Sequence, residues 1–225
     1  MNMKESQYNS QLELMKKKGL SQLGLMINED WDGDPKRLAF VLSRYKFVAK
    51  MLEGEKDILE VGCGDGFASR IVKQTVKNLT VSDFDQVFID DAKSRKDSDW
   101  PMTYLVHDMT EVPTGKKFDA IYSVDVFEHI DPKDEGKFLS NICKSLNPNG
   151  VVIIGTPSIE SQAFASPESI EGHVNCKTGK AFKALMAKYF DHVFLFSMND
   201  EVVHTGFSKM AHYLLTLCCN QINHD

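Results

Sequence analysis

Asp57-Ile58-Leu59-Glu60-Val61-Gly62-Cys63-Gly64-Asp65-Gly66 is the stretch whose reading decides the fold. Its first five residues form a short apolar-rich run of strand type. The glycines that follow let the backbone turn sharply and pass close to whatever lies beside it, where a Cβ would obstruct. Residues Phe67 to Lys77 then read as a helix. Downstream the alternation repeats. Strands are expected at Leu79–Ser82, ending at Asp83, at Thr103–Val106, ending at His107-Asp108, and at Phe118–Val124. Helices are expected at Val87–Lys93, at Pro132–Leu146, stopped by Asn147-Pro148-Asn149-Gly150, and at Gly179–Phe190. Val151-Val152-Ile153-Ile154 is continuously apolar, as a strand buried on both faces should be. His192–Ser197 and Ala211–Cys218 read as two final strands, the last open to a helical reading.

Upstream of the glycine turn, Leu38, Val41, Leu42, Tyr45, Val48, Ala49 and Leu52 recur at helical spacing. Trp31-Asp32-Gly33-Asp34-Pro35 reads as a turn with Asp34 as a cap, and residues 5–30 as one loose helix. The expected architecture is therefore α/β: a doubly wound, mostly parallel sheet over residues 54–225, preceded by a helical extension over 1–53.

Composition supports one ordinary globular core. Of 225 residues, 42% are hydrophobic and 26% charged, which excludes disordered, collagenous and disulfide-dense classes. The net charge of −6 gives no overall field towards nucleic acid or an anionic membrane. No run reaches the ~18–20 apolar residues of a membrane span, and Met1–Gln7 lacks the apolar stretch of a signal peptide. Five cysteines, with Cys218-Cys219 adjacent, suggest a reduced, cytoplasmic protein. Leu214, Leu215 and Leu217 are candidates for core or for a homodimer interface.

In open α/β sheets ligands sit beyond the carboxyl ends of the strands. Here those segments are Gly62–Gly66, Asp83–Asp85, His107–Met109, Asp125–His129, Thr156–Cys176 and Asn199–Met210. The first turn is E-x-G-x-G-x-G. The dinucleotide fingerprint needs a third Gly at position 67, which is Phe, and this disfavours an NAD-linked oxidoreductase; the Walker pattern is also absent. Asp83 lies 21 residues past Gly62, where a carboxylate can accept from both hydroxyls of a ribose. Asp108, ending the third strand, can accept from an adenine amine. Together they describe a nucleoside site.

This ordered series resembles the class I S-adenosylmethionine-dependent methyltransferases. The matching residues are Asp57–Gly66, Val81-Ser82-Asp83, His107-Asp108-Met109, Phe118–Ser123 and Leu146-Asn147-Pro148-Asn149-Gly150. Val124-Asp125-Val126-Phe127-Glu128-His129-Ile130 and Pro35-Lys36-Arg37-Leu38 look like the polyprenyl-quinone-type small-molecule O-methyltransferases. The resemblance implies a seven-stranded sheet whose last strand is antiparallel and inserted beside the preceding one. It implies S-adenosyl-L-methionine as cofactor, with Asp83 on the ribose, and Asp108 and the Met109 backbone on the adenine. Gly62 and Gly64 would lie along the methionine part, Arg37 on its carboxylate, and Val124 at a backbone contact; Glu60 and Phe84, flanking the turn and Asp83, complete the set. The region after residue 155 departs from the quinone enzymes, so their substrate is not implied.

A sulfonium methyl is already activated, and the protein must align a nucleophile and, for a hydroxyl, take its proton. His129, His173 and His204 all follow strand ends and are the candidate bases. The expected activity is methyl transfer to a small molecule, most readily at oxygen. The alternatives are N-methylation, with Asp125, Asp200 or Glu201 holding an ammonium, and a non-catalytic cofactor-binding subunit. No metal is expected: Glu171, His173 and Cys176 have a permissive spacing, but no C-x-x-C pair accompanies them.

Overall fold

The protein, seen in a computed structural model that describes residues 3–222, is built around one eight-stranded sheet. In chain order the helices are α1 (Asn9–Lys18), α2 (Leu25–Gly33), α3 (Lys36–Met51), α4 (Ser69–Lys73), α5 (Gln86–Ser94), α6 (Glu135–Lys144), α7 (Pro167–Gly172) and α8 (Gly179–Met186). The strands are β1 (Asp57–Val61), β2 (Asn78–Asp83), β3 (Thr103–Val106), β4 (Phe118–Val124), β5 (Leu146–Pro157), β6 (Phe190–Asn199), β7 (Val202–His204) and β8 (Tyr213–Gln221).

The strand order is β3-β2-β1-β4-β5-β8-β6-β7. The first five run parallel, while β8 runs antiparallel between β5 and β6. The insertion of the last strand follows the expectation. The count differs by one: Asp200 adopts φ +48° and closes a tight turn, so Val202–His204 folds back on Ser197–Asn199 as β7. Three residues are too few for a period-2 pattern to show in sequence.

Strand alternation builds the two cores. Leu59, Ile121, Val152 and Ile154 pack with Phe138, Leu139 and Ile142 of α6 and Phe182 of α8. Ile58, Ala120, Tyr122 and Ile153 point the other way and pack with Tyr45, Val48 and Ala49 of α3, Leu52 just past its end, Val72 of α4 and Ile89 of α5. Both sheet faces are covered, which is why the central strands are continuously apolar.

The N-terminal region differs from the single loose helix expected. Gly19, at φ +76°, ends α1, and α2 starts only at Leu25. Trp31 to Gly33 are the last turn of α2 rather than a free turn, and the break falls at Asp34-Pro35. Near the C-terminus the ambiguous last segment is strand β8. Among the described residues, no helix is long and apolar enough to cross a membrane.

The chain lays β1, β2 and β3 outward in one direction, then returns to place β4 on the other side of β1. A crevice therefore opens beyond the carboxyl ends of β1 and β4, the usual place for a ligand in such a sheet.

Candidate functional site

The glycine turn lies at that crevice. Gly62, Gly64 and Gly66 have φ of +75°, +50° and +64°, a region costly for any residue with a Cβ. Space is also limiting: a Cβ on Gly62 would strike Val126, and one on Gly64 would strike the Met26 thioether. Gly62 and Cys63 both donate their N–H to the Ser82 carbonyl, at 2.8 and 2.9 Å, tying the turn to β2.

The same turn presets Asp83. Gly64 N–H donates to Asp83 Oδ2 and Asp85 N–H to Asp83 Oδ1, each at 2.9 Å. Each carboxylate oxygen retains acceptor capacity for a further hydroxyl. Burial pushes the Asp83 carboxyl up, and these backbone donors oppose the shift. Asp85 in turn caps α5 by accepting from Val87 N–H. Phe84, between the two acids, is 73% exposed, an aromatic face held out next to a carboxylate.

Glu60 is placed beneath the turn. It is buried, and its two oxygens accept from the Tyr45 and Tyr122 hydroxyls at 2.7 Å each. Burial pushes its carboxyl up, and the hydroxyl donors hold it down. Both oxygens are spent on the fold, and through Tyr45 they fasten α3 to the sheet. Asp108 Oδ1 accepts from the Thr110 N–H at 2.8 Å and hydroxyl at 2.6 Å. The Met109 side chain is buried, and its carbonyl accepts from Asn141. Val124 is buried at the end of β4.

Helix α2 lies over the turn. Asp65 accepts from Ile27 N–H and Phe67 N–H, both at 2.9 Å, while Leu25 N–H donates to Asp91. Arg37, on the first turn of α3, is 60% exposed and pairs with Asp30 of α2 at 3.3 Å.

On the β4 side, Asp125 adopts φ +58°, unusual for a residue with a side chain. Arg44 Nη1 reaches both its carboxylate oxygens at 2.6 Å, and the guanidinium lies 3.9 Å above the Tyr213 ring centroid. The Tyr213 hydroxyl accepts from Asp125 N–H at 3.2 Å. Glu128 is buried nearby; burial and then the Asp125 charge push its carboxyl up to about 8.

His129 and His173 come together, their rings 5.1 Å apart. His129 Nδ1–H donates to the Gly172 carbonyl at 3.0 Å, and His173 Nδ1–H donates to Gln162 Oε1 at 3.1 Å. Those bonds direct each Nε2 lone pair to other work. Burial, then the neighbouring His129, lowers the His173 pKa, which favours its neutral, proton-accepting form. Glu128, His129 and His173 also bring one ligand atom each within 4.8 Å of one another, a set of mixed carboxylate and imidazole donors that a divalent cation would accept. The ligand-competent trio is thus not Glu171, His173 and Cys176.

His204 stands apart from this pair. Its Nδ1 accepts from Gly206 N–H and its Nε2–H donates to Asn199 Oδ1, both at 2.9 Å, so both nitrogens brace the β6–β7 hairpin. It sits on the edge strand, four strands from β4, or roughly 19 Å at the usual strand spacing. Position after a strand suggested a ligand-facing histidine, but the edge location of β7 separates it from the crevice.

In sequence Asp125 reads as a candidate ammonium holder, Asp125 and Glu128 fall within the Val124–Ile130 segment, and Arg44 and Tyr213 carry no site assignment. One trace was present for Arg44: it falls seven residues after Arg37, on the same face of α3 and inside the apolar stripe. Nothing local to Tyr213 marks it, because only the insertion of β8 beside β5 brings it to Arg44.

Residues 59–154, from β1 into β5, match the family described as methyltransferase domain. Over those residues the chain is similar to methyltransferase domains. A ubiquinone biosynthesis O-methyltransferase of Rickettsia akari (strain Hartford) is 27% identical over 133 residues, which are 59% of this chain and 52% of that protein. The mitochondrial ubiquinone biosynthesis O-methyltransferase of Arabidopsis thaliana is 30% identical over 149 residues, 59% of this chain and 44% of that one. The chain therefore spans about half the length of these relatives. Among solved structures, N-methyltransferase NodS from Bradyrhizobium japonicum WM9, in complex with S-adenosyl-L-homocysteine, superposes with a TM-score of 0.60 at 20% identity, over 84% of this chain and 90% of that one. The plantazolicin methyltransferase BpumL, also with that ligand, gives 0.65 at 14% identity, over 87% and 89%. These two likenesses concern the fold.

Proposed function

We propose that this chain is an S-adenosylmethionine-dependent methyltransferase acting on a small molecule, at oxygen. The observation that carries the reading is the preset Asp83: a buried carboxylate aligned by Gly64 and Asp85 N–H groups beside a turn that only glycine can make. The O-methyltransferase names of the sequence relatives support the choice of oxygen.

The residues present fit the cofactor. Asp83 would accept from its ribose hydroxyls, Phe84 and Asp108 would flank its adenine, with Met109 and Val124 as neighbours, and Gly62 and Gly64 would border its methionine part. Arg37 would meet its carboxylate, because an exposed guanidinium can exchange Asp30 for another carboxylate. Glu60 acts beneath, by bracing β1 against α3. When bound, the cofactor supplies a methyl group on a sulfonium whose leaving group is a neutral thioether. The protein's own part is orientation and proton removal. His129 and His173, each with Nδ1 committed as a donor, present Nε2 atoms that can take the acceptor's hydroxyl proton. The segment 158–178, pinned by Asn175 N–H to the Glu128 carbonyl, closes the acceptor side. The free cysteines are consistent with a cytoplasmic setting. We treat residues 1–53 as a cap on a cofactor-binding domain of residues 54–225.

Calorimetry with S-adenosylhomocysteine on wild type and Asp83→Ala tests the cofactor reading. Binding by the wild type and a loss of at least tenfold in the variant are expected. A methyl-transfer screen with phenolic and amine acceptors then tests the chemistry. Turnover of phenols that falls in His129→Ala and His173→Ala but survives in His204→Ala supports it; transfer to amines alone would reject the choice of oxygen.

A further inference from the structure

Asp30 lies on α2 four residues past Met26, whose thioether packs on Gly64, and pairs with Arg37. Resting on the cofactor assignment above, we propose that Asp30 and Arg37 together form the receptor for the cofactor's α-amino-acid end, Asp30 taking the ammonium and Arg37 the carboxylate.

Placement comes first. Met26 packs on Gly64, and the neighbouring Ile27 N–H is fixed to Asp65. Asp30 follows Met26 by four residues on α2, so it lies on the same helix face, roughly 6 Å further along the axis. That face looks onto the turn. Asp30 is the sheltered member of the pair, with a side-chain exposure of 19% against 60% for Arg37.

Charge comes second. Asp30 sits among acids: the charges of Asp65 and Asp125 both reach it, as does that of Glu29. Burial pushes its carboxyl up; the Arg37 guanidinium, the strongest of the charges acting on it, opposes that rise, and Glu29, Asp125 and Asp65 each add to it. The pair itself is a one-atom contact, Nη1 to Oδ1 at 3.3 Å, with no second parallel bond. Oδ2 of Asp30 and the remaining guanidinium N–H groups keep capacity for another ligand. A cation placed here meets Asp30 itself and the charges of Glu29, Asp125 and Asp65 around it.

Chemistry comes third. An α-amino acid presents an ammonium and a carboxylate a few ångströms apart. Asp30 and Arg37 present the complementary charges at the same scale. Insertion of the zwitterion between them replaces one ion pair by two, with no net charge added to the site and no proton moved. The opposite possibility is that Asp30 only competes for Arg37 and must be displaced, in which case removing its charge would tighten binding instead of weakening it.

The test separates these signs. Wild type and Asp30→Asn are titrated calorimetrically with S-adenosylhomocysteine and with 5′-methylthioadenosine, which keeps the adenosine and thioether but has no amino acid. The wild type should prefer the first ligand by more than tenfold. In Asp30→Asn its Kd should rise about tenfold, the scale of one lost charge-assisted bond at a partly sheltered site. Methylthioadenosine should stay within about twofold, which also shows that the variant is folded, and Asp30→Glu should recover part of the loss. Equal affinity of the wild type for both ligands overturns the proposal whatever the variant does. So does an equal change for both ligands in Asp30→Asn, or a tightening of S-adenosylhomocysteine. If the wild type binds neither ligand, the cofactor reading fails and this one with it; if it binds both and only the Asp30 pattern is missing, the cofactor reading stands alone.

Discussion

Tyr122→Phe should destabilise the protein even though it touches no ligand. The hydroxyl donates to a fully buried Glu60 at 2.7 Å, and its loss leaves a carboxylate oxygen with no replacement from solvent. A hydrogen bond to a charged group is worth about 1.5–3 kcal/mol. For a chain of this size each 1 kcal/mol moves Tm by about 2–4 °C, so a fall of roughly 3–12 °C is expected. Tyr45→Phe removes the other donor, also at 2.7 Å, and should cost a similar amount. The double variant adds a pH signature. The Ser69 hydroxyl and these two hold the Glu60 carboxyl down against its burial, so removing the two tyrosine donors raises it further. A folded-state acid with a raised pKa stays protonated while the unfolded chain ionises, so folding takes up a proton and stability falls as pH climbs above the unfolded value. The double variant should therefore lose stability more steeply than wild type as pH rises above the ordinary Glu value of about 4.3. Urea melts at several pH values measure both effects. Single variants within about 0.5 kcal/mol of wild type, the scale of a surface change, and a double variant with the wild-type pH slope would refute the reasoning.

Two further outcomes follow from the crevice. Glu128→Gln should flatten the stability profile between pH 4.5 and about 8, because Glu128 is held protonated in the fold over that window while the unfolded chain has ionised; denaturant midpoints at pH 5.0 and pH 8.5, compared with wild type, check it, and parallel slopes would count against it. Arg44→Ala should cost about 2–4 kcal/mol, below the upper end for a broken buried pair because Asp125 keeps some solvent access. Arg44→Lys should recover only part, since an ammonium cannot reproduce the stacked guanidinium over Tyr213; chemical denaturation of both variants decides.

Most of the parallel half of the sheet was legible because its rules are local. Thr103–Val106 and Phe118–Val124 coincide with β3 and β4, and Gly62 to Gly66 announce a turn whose positive φ values need glycine. Asp83 was legible for the same reason: a strand end fixes where its residue faces. What escaped depends on contacts between distant segments. Glu60 reads as a site acid, but Tyr45 and Tyr122 claim it from two other elements. Arg44 reads as one more charge on a helix until Asp125 and Tyr213 surround it. His204 reads as ligand-facing because a three-residue strand leaves no periodicity to place it on the edge. The docking of α2 on Gly64 through Met26 has no sequence mark at all.

The position of β8 has a consequence for biosynthesis. Thr216 pairs with Ile154 although 62 residues separate them. At roughly 5–20 residues per second, the ribosome needs about 3–12 s to deliver that partner. Throughout this interval Val151-Val152-Ile153-Ile154 would present an open apolar edge, the kind that recruits stray strands. Nascent-chain protection during that pause, by a holdase or by the growing polypeptide itself, is thus a requirement set by strand order.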